Sequence, residues 1–495
     1  MKLHLECQLF FLAISSFSWS SSVDVKLEDI EVEGPGLTPD LIVLPVRYFF
    51  IYLRGRNYTG DEVVDVKDVE VTIKGEHKER NCRVMTSMLD RRDSSFIVRY
   101  KLYETCKNLH ISIQYKSKHV AGSPYFVKGT VLHDDCFCPE PFITTMLENY
   151  GCKQFNQIHY DLSRFKSFSF DKNFDILVKR FKNSHLTSVC HYVVKNNEVY
   201  RNCYGEHVGF RMFMDTLLLS LTRKVELPDM EFFSNLGDWP LEKLSNKVVF
   251  PMFSWCGSKE TADIVMPTYD IMESSLTMGR VTLDMLSVQG NIEKTWKEKE
   301  EKAFWRGRDA SRERLKLIDI SRSHPDLFNA SLTNFFFFKD EEKFYGPKAK
   351  HVSFFKFFDY KYQINLDGTV AAYRFPYLLA GDSLVLKQNS PYYEHFYSEL
   401  EPWVHYVPVK RDLSDLVEKI KWAKENDDKA KAISQAGRRF AVENLLPQDI
   451  LCYHVQLFYE WSKRLLSKVE IKKGMERVQQ SIDKGCCHRL KKDEL

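Results

Sequence analysis

The chain has 495 residues, of which 44% are hydrophobic, and this is enough apolar material for several cores in about two to four domains. Its 71 basic and 68 acidic residues give a formal net charge of +3, which excludes a protein that attracts polyanions through its overall charge. Nucleic-acid binding would therefore require a local basic patch.

The first residues predict a targeting signal. Lys2 precedes an apolar run from Leu9 to Ile14, and small residues follow, which is the pattern of a secretory signal peptide over residues 1–22. The alternative is a buried first strand. The apolar run is too short to span a bilayer, and no other apolar stretch is long enough, so we expect no transmembrane segment.

Residues 23–130 predict an antiparallel β-sandwich, because short alternating segments are separated by Gly, Asn and Asp. The motifs GPGL at 34–37 and GSPY at 122–125 resemble the start and the end of a filamin-type immunoglobulin-like repeat. Such modules mostly act as binding domains or as spacers, and this one contains no catalytic group of residues. Cys82 and Cys106 are candidates to pair within it, and Asn57 begins an N-glycosylation sequon.

Residues 134–470 show a different pattern, in which strands alternate with amphipathic helices. This alternation is typical of parallel sheets covered on both faces. The segment is too long for one such sheet, so the sequence predicts two doubly wound lobes, about 155–295 and 296–440, with a cleft between them. The last helices are expected to cross back between the lobes, ahead of a charged tail at 471–495.

The first candidate site is the loop NLGDWP at 235–240, which follows an apolar segment predicted as a strand. Asp238 would lie at the carboxyl end of that strand and face the cleft, where it could act as a general base. The alternative is a turn aspartate that hydrogen-bonds its own backbone.

The second candidate is the stretch AFWRGRDASRERLKL at 303–317, in which Ser311 is the expected N-cap of a helix. Arg308 and Arg314 could flank an anion at the start of this helix, whereas Arg312 is expected to point to water. The alternatives are nucleic-acid binding and a solvated helix face.

The third candidate is the unit YQINLDGTVAAYRFPYLL at 362–379, which predicts a strand, a tight Asp-Gly turn and a helix from Thr369 to Leu379. Free N–H groups at such a helix start suit a phosphate, and Arg374 could add a charge-assisted contact. The alternative is an ordinary βαβ corner. Because the chain has no D-x-D motif to hold a metal–diphosphate complex, arginines rather than a metal are expected to neutralise the anion.

The remaining cysteines are expected to form disulfides. Cys136, Cys138 and Cys152 suggest a covalent link at a domain entrance, and Cys452 could tie the last helices to it. Cys190 and Cys203 flank a segment predicted as a hairpin. A metal site at Cys486-Cys487-His488 has the wrong spacing for a tetrahedral cage, and a second sequon begins at Asn329.

The last four residues, Lys492-Asp493-Glu494-Leu495, form the endoplasmic-reticulum retrieval signal, which a KDEL receptor reads. Together with the signal peptide, they predict a soluble protein of the endoplasmic-reticulum lumen. That location argues against nucleic acid as a partner and favours disulfides.

The motifs AFWRGRDASRERL, NLGDWP, YQINLDGTVAAYRFPYLL and LEPWVHYVPVK resemble the CAP10-type glycosyltransferases, the protein O-glucosyltransferases. The order of filamin-type module, transferase and KDEL resembles the KDEL-motif-containing members of this family. The resemblance implies a GT-B fold of two Rossmann-like lobes, with a sugar nucleotide in the cleft and no metal or other cofactor. It also implies inverting transfer of glucose from UDP-glucose to serine hydroxyls of folded EGF-like repeats.

The resemblance also implies roles for individual residues. The catalytic base of the family falls on Asp238, and its sugar-nucleotide contacts fall on Arg308, on Arg314 and on the loop after the DG strand. That loop comprises Thr369, Val370, Ala371, Ala372, Tyr373 and Arg374. Glu394 is a candidate for holding the ribose hydroxyls, and its alternative is a glutamate on a helix surface.

Two other functions stay open. One is a lumenal lectin-like or chaperone-like protein for EGF-repeat proteins whose transferase part is weak or inactive, and the other is an adaptor acting through the sandwich. Asp238, Arg314 and Arg374 favour the enzyme. Glucose and xylose differ by one hydroxymethyl group, so the residues do not exclude UDP-xylose as donor.

Overall fold

A computed structural model describes residues 25–56, 58, 64, 66–182, 184–278, 283–479, 483 and 485–487. The predicted signal peptide, the sequon residue Asn57 and the retrieval signal Lys492–Leu495 lie outside these residues. Within the described part of the chain, no helix combines the length and the apolar character needed to cross a membrane.

The N-terminal module is the predicted β-sandwich, with one sheet in the order β1-β2-β6-β5 and a second in the order β4-β3-β7-β8, in which β9 also pairs with β7. Its strands are β1 Glu31–Glu33, β2 Arg47–Tyr52, β3 Val69–His77, β4 Arg80–Asn81, β5 Val84–Asp90, β6 Ser95–Leu102, β7 Cys106–Tyr115, β8 Lys118–His119 and β9 Tyr125–Val131. A disulfide joins Cys82 to Cys106, as predicted. Gly34 has a φ of 140° and lies so close to β2 that a Cβ would meet the Phe49 Cα at 2.7 Å, so the GPGL turn requires glycine there.

Strand β2 is buried on both of its faces. Phe49 and Ile51 point into the sandwich core, whereas Tyr48, Phe50 and Tyr52 belong to the hydrophobic core of the transferase part. An ion pair of 3.2 Å between Arg99 of the sandwich and Asp284 of the transferase part reinforces this contact. The sandwich is therefore packed against the rest of the chain.

The first lobe is an α/β unit around a mixed sheet in the order β15-β13-β12-β10-β11-β22. Strands β12, β13 and β15 run parallel, and β10, β11 and β22 pair antiparallel. The elements of this part are α1 Ile143–Asn149, α2 Asn156–Leu162, α3 Phe174–Phe181, β10 Val189–Lys195, β11 Glu198–Tyr204, α4 Arg211–Lys224, β12 Met230–Asn235, β13 Met252–Ser254, β14 Gly257–Ser258, β15 Ile264–Val265, α5 Tyr269–Leu276 and α6 Met285–Gly290.

The second lobe has a five-stranded, wholly parallel sheet in the order β17-β16-β18-β19-β21, as predicted. Its elements are β16 Glu300–Arg308, α7 Arg312–Ser323, β17 Phe328–Asn334, α8 Glu342–Tyr345, β18 Tyr360–Asn365, α9 Phe375–Ala380, β19 Leu384–Gln388, β20 Tyr392–Tyr393, β21 Val407–Val409 and α10 Leu416–Glu425. The lobes are also connected by the short pair β14–β20.

The chain ends by returning to the first lobe, through α11 Asp427–Asn444, α12 Pro447–Ser462 and β22 Glu476–Arg477. The indole N–H of Trp461 on α12 donates to the carbonyl of Glu231 on β12 at 2.9 Å, inside the core. Helix α12 is therefore packed against the sheet of the first lobe.

The disulfides agree with the sequence predictions only in part. Cys152 pairs with Cys452 and Cys190 with Cys203 across the β10–β11 hairpin, as expected. The expected mutual link of Cys136 and Cys138 with Cys152 is wrong. These two cysteines pair with Cys486 and Cys487, because the tail returns to this segment, where the Phe137 N–H donates to the Asp483 carbonyl at 2.8 Å.

We predict that damage to the sandwich side of the interface destabilises the transferase. Phe50→Ala removes a ring from the shared core and should cost about 3–5 kcal/mol of unfolding free energy. Every tryptophan after the predicted signal peptide lies at or beyond Trp239, so tryptophan fluorescence during urea denaturation reports on the transferase alone.

The control is Phe126→Ala, which removes a ring from the same module. Phe126 is 55% exposed, so its loss should change the free energy of unfolding by about 0.5 kcal/mol or less. An unchanged tryptophan transition for Phe50→Ala would show that the sandwich folds independently.

Candidate active site

A cleft of about 740 Å³ lies between the two lobes, at the carboxyl ends of β12, β16 and β18. In open α/β sheets this edge is where ligands bind. The cleft brings together most of the residues predicted from the sequence: Asp238, Arg308, Arg314, Thr369, Val370, Ala371, Ala372, Tyr373 and Arg374.

Asp238 is held in a loop that is fixed by the buried side chain of Asn235 at the end of β12. The Asn235 amide accepts a hydrogen bond from the Gly237 N–H at 2.9 Å and donates one to the Trp239 carbonyl at 2.7 Å. This pattern makes a rigid turn and leaves the Asp238 carboxylate half-buried at the cleft.

The Asp238 carboxylate accepts a hydrogen bond from the Tyr269 hydroxyl at 3.3 Å. Burial raises the pKa of Asp238 above its ordinary value, while the Tyr269 hydrogen bond and the charge of Arg308 act in the opposite direction. Beside it, burial and the charge of Asp238 raise the pKa of Asp270 to about 6. A carboxylate with a raised pKa and a free face is suited to accept a proton.

The loops of the two lobes bind one another at this point. The Trp239 indole donates to the Thr369 carbonyl at 3.0 Å, and the Tyr373 hydroxyl donates to the Asp238 backbone carbonyl at 3.2 Å. The position of Asp238 is therefore set by both lobes.

The sequence predicted a helix from Thr369 to Leu379, and the predicted first residue is wrong. Residues 369–374 form a loop, and the helix α9 covers only Phe375–Ala380. The reason is Pro376, which fits the first turn of a helix but would lose a hydrogen bond and clash in a helix interior. The loop residues therefore line the cleft without a helix N-terminus at Thr369.

Arg314 joins the two basic segments of the second lobe. Its guanidinium donates to the carbonyls of Arg308 at 3.0 Å, Leu366 at 3.1 Å and Asp367 at 2.8 Å. Burial first, and then the nearby Arg374 and Arg308, lower the pKa of Arg314 to about 9. Arg374 and Arg308 add positive charge next to the buried Arg314, and a bound anion would relieve this repulsion.

The other arginines occupy distinct environments. The partly buried Arg374 side chain donates to the Arg306 carbonyl, and desolvation lowers its pKa to about 10, whereas Arg308 is exposed at the cleft. Arg312 is largely exposed and pairs with Glu341, in agreement with the prediction that it points to water. Ser311 stands at the N-cap of α7, but its side chain makes no capping hydrogen bond.

Glu394 is not among the residues that line the cleft. Its carboxylate is fully buried, accepts a hydrogen bond from the Tyr397 hydroxyl at 3.2 Å, and has a pKa raised to about 8, chiefly by burial. The surface-helix alternative is therefore wrong, and the ribose contact of Glu394 stays a prediction.

Asn329 lies on β17, where its amide donates to the Tyr360 hydroxyl at 2.8 Å and accepts from Arg306 at 2.7 Å. Glycosylation at Asn329, and at Asn57 outside the described residues, stays a prediction.

The sequence reasoning missed Tyr269, Asp270 and the role of Asn235. Tyr269 and Asp270 begin α5, far along the chain from Asp238, and no motif marks them. Asn235 ends an apolar strand two residues before a glycine, and asparagine at the start of a turn is a common signal for a side chain that binds the turn's backbone.

The described residues contain no group of three or more His, Cys, Asp or Glu side chains arranged to hold a metal ion. The absence of a metal requirement stays a prediction.

A two-lobed α/β fold with a basic cleft facing a carboxylate is the architecture of a nucleotide-sugar glycosyltransferase. Residues 147–494 match glycosyl transferase family 90, and residues 24–126 match the filamin/ABP280 repeat. The chain belongs to glycosyl transferase family 90 and carries an N-terminal filamin repeat.

The chain is similar to several curated relatives over most of its length. It is 51% identical over 477 residues to protein O-glucosyltransferase 2 of Danio rerio, a match that covers 94% of each chain. It is 47% identical over 473 residues to protein O-glucosyltransferase 3 of Homo sapiens, covering 93% of this chain and 92% of the relative. It is 33% identical over 300 residues to protein O-glucosyltransferase 1 of Homo sapiens, covering 58% and 76%.

We predict that Arg314 supports anion binding in the cleft. Arg314→Ala removes a buried charge and releases the Arg308 and Asp367 turns, so the affinity for UDP should fall about ten- to hundredfold. Isothermal titration calorimetry measures this affinity directly.

Arg312→Ala is the matched control, because it removes an exposed arginine from the same helix. Equal UDP affinities for the two variants would contradict the assignment of Arg314.

Proposed function

We propose that this enzyme is an inverting protein O-glucosyltransferase, which transfers glucose from UDP-glucose to serine hydroxyls of folded EGF-like repeats in the endoplasmic-reticulum lumen. The observation that carries the proposal is the position of Asp238 opposite the basic loops of the second lobe, in one cleft. The similarity to curated protein O-glucosyltransferases supports the transferred sugar and a protein acceptor.

In this mechanism Asp238 accepts the proton of the serine hydroxyl. The oxygen attacks the anomeric carbon from the face opposite the diphosphate, so a C–O bond forms as the bond to UDP breaks and the configuration inverts. The raised pKa of Asp238 makes its carboxylate a better proton acceptor than an exposed aspartate. The Tyr269 hydrogen bond orients the carboxylate.

Negative charge develops on the departing UDP during this step. Arg308, Arg314 and Arg374 lie at the same cleft and stabilise that charge. Because Arg314 is bonded to both loops, its charge is fixed in place before the reaction, which costs little reorganisation in the transition state.

The proposed compartment is supported by two kinds of observation. Five disulfides join described cysteines, and disulfides persist in oxidising compartments. The signal-peptide pattern and the terminal Lys-Asp-Glu-Leu add an entry signal and a retrieval signal.

Asp238→Asn should abolish glucose transfer while leaving UDP affinity within about twofold, because the amide keeps the shape but cannot accept the proton. Mass spectrometry of a folded EGF-like repeat incubated with UDP-glucose measures the added hexose. If the wild-type protein adds no hexose, or if the variant adds as much as the wild type, the catalytic role is wrong. A wild type that binds the repeat without transfer would favour the alternative of an inactive binding protein.

The pH dependence of the reaction should report Asp238. Since the base must be ionised, kcat/KM should fall as the pH drops through the raised pKa of Asp238. Tyr269→Phe removes a hydrogen bond that favours the charged carboxylate, so the acid limb of the profile should move to higher pH. An acid limb that does not move, or that moves to lower pH, would contradict this assignment.

Deletion of Lys492–Leu495 should release the protein into the culture medium of secretory cells, because the retrieval signal is lost. Immunoblots of medium and lysate compare the deletion with a variant in which four other residues of the charged tail are removed. Intracellular retention of both proteins would contradict retrieval by this signal.

A further inference from the structure

A second cavity, of about 140 Å³, lies at the interface between the sandwich and the transferase. Its walls come from the end of β2 and the turn between β5 and β6 on one side, and from α11 and the segment before β16 on the other. This cavity shares no lining residue with the cleft that contains Asp238.

The cavity carries a large excess of positive charge. Eight of its lining residues are basic and three are acidic. The basic residues are Arg54, Arg56, Arg91, Arg92, Lys294, Lys431, Arg438 and Arg439.

The three acidic residues already have cationic partners. Glu443 pairs with Arg56, Asp93 with Arg438 at 2.8 Å, and Asp382 with Lys299 at 2.8 Å. Each lining carboxylate is therefore already engaged by a cation, and that of Asp93 lies between Arg438 and Arg91.

Two arginines from opposite walls share one of these carboxylates. Nη1 of Arg438 lies 2.8 Å from Oδ2 of Asp93, and Nε of Arg91 lies 4.0 Å from the same oxygen. Both arginine side chains are more than nine-tenths buried. Burial, and next the charge of Arg91, lower the pKa of Arg438, as expected for two buried cations with a single anion between them.

Arg438 has an unused hydrogen-bonding edge. Its Nε and Nη2 atoms are buried and have no hydrogen-bond partner among the described residues, and the same holds for Nε of Arg91. Nε and Nη2 form one side of a guanidinium, the side that binds a carboxylate or phosphate through two parallel N–H···O bonds. Leaving such charged donors unpaired is costly, so their presence at a cavity indicates a ligand.

We propose that this cavity is a binding site for a phosphate group, held by the unused edge of Arg438 together with Arg91. A volume of about 140 Å³ suits a phosphate-sized anion. Because the two arginines belong to different modules, a bound phosphate joins the sandwich to the transferase and stabilises their interface.

The test measures the thermal stability of the mature protein by tryptophan fluorescence, with inorganic phosphate as the probe. Saturating UDP occupies the catalytic cleft, and sodium chloride keeps the ionic strength constant. Phosphate should raise the Tm by about 2–4 °C. Hydrogen exchange should show protection of residues 91–95 and of α11.

Arg438→Lys is the decisive variant, since lysine keeps the charge next to Asp93 but has no bidentate edge. Its phosphate affinity should be about ten- to hundredfold lower. Arg438→Gln should show the same loss, and Arg80→Gln, at an exposed arginine of the sandwich, should bind phosphate like the wild type.

Two outcomes would overturn the proposal: no effect of phosphate on the wild type, or equal phosphate affinity in Arg438→Lys.

A second titration with glucose 6-phosphate distinguishes the source of the phosphate group. Equal or tighter binding of this ester assigns the site to a phosphomonoester, and weaker binding assigns it to free phosphate. This experiment does not depend on transferase activity, so its failure is separate from a failure of the proposed function.

Discussion

The buried guanidinium of Arg314 is the interaction on which the catalytic cleft depends. It bonds the carbonyls that end β16 and β18, and so it fixes the two turns that carry Arg308 and the loop 369–374. An arginine used in this way serves two purposes, because it satisfies backbone carbonyls and also places a charge at the cleft. Hydrogen bonds of Trp239 and Tyr373 then hold the first lobe against these turns.

The sandwich also contains one element, strand β2, that has two structural roles. Strand β2 serves one hydrophobic core with one face and a second core with the other, so the sandwich is packed into the transferase. The apolar contact leaves a basic cavity at its edge, where Arg91 and Arg438 meet over Asp93. Apolar burial sets how the modules dock, and the buried edge of Arg438 gives their interface its proposed phosphate site.

The sequence predicted those features that depend on local pattern. Alternating residues indicated the sandwich, and alternating strands and helices indicated the two lobes. The position of Asp238 after a predicted strand placed it at the edge of the sheet where the cleft lies. The predicted start of helix α9 was wrong, because Pro376 does not allow a helix to extend far before it. The predicted partners of Cys136 and Cys138 were also wrong, because their true partners lie about 350 residues away. The burial of Glu394 was not predicted, because nothing local marks a carboxylate as buried.

The sequence by itself determined the order of modules, the fold class and the residue types that carry charge, since these follow from periodicity, composition and motifs. Only the tertiary structure decided which charges meet. Three contacts join segments distant along the chain: the hydrogen bond from Tyr269 to Asp238, the use of Arg314 to tie two turns, and the ion pair of Arg438 with Asp93. Hydrogen bonds and ion pairs act over a few ångströms, so they depend on how the chain packs and leave no signal in the local sequence.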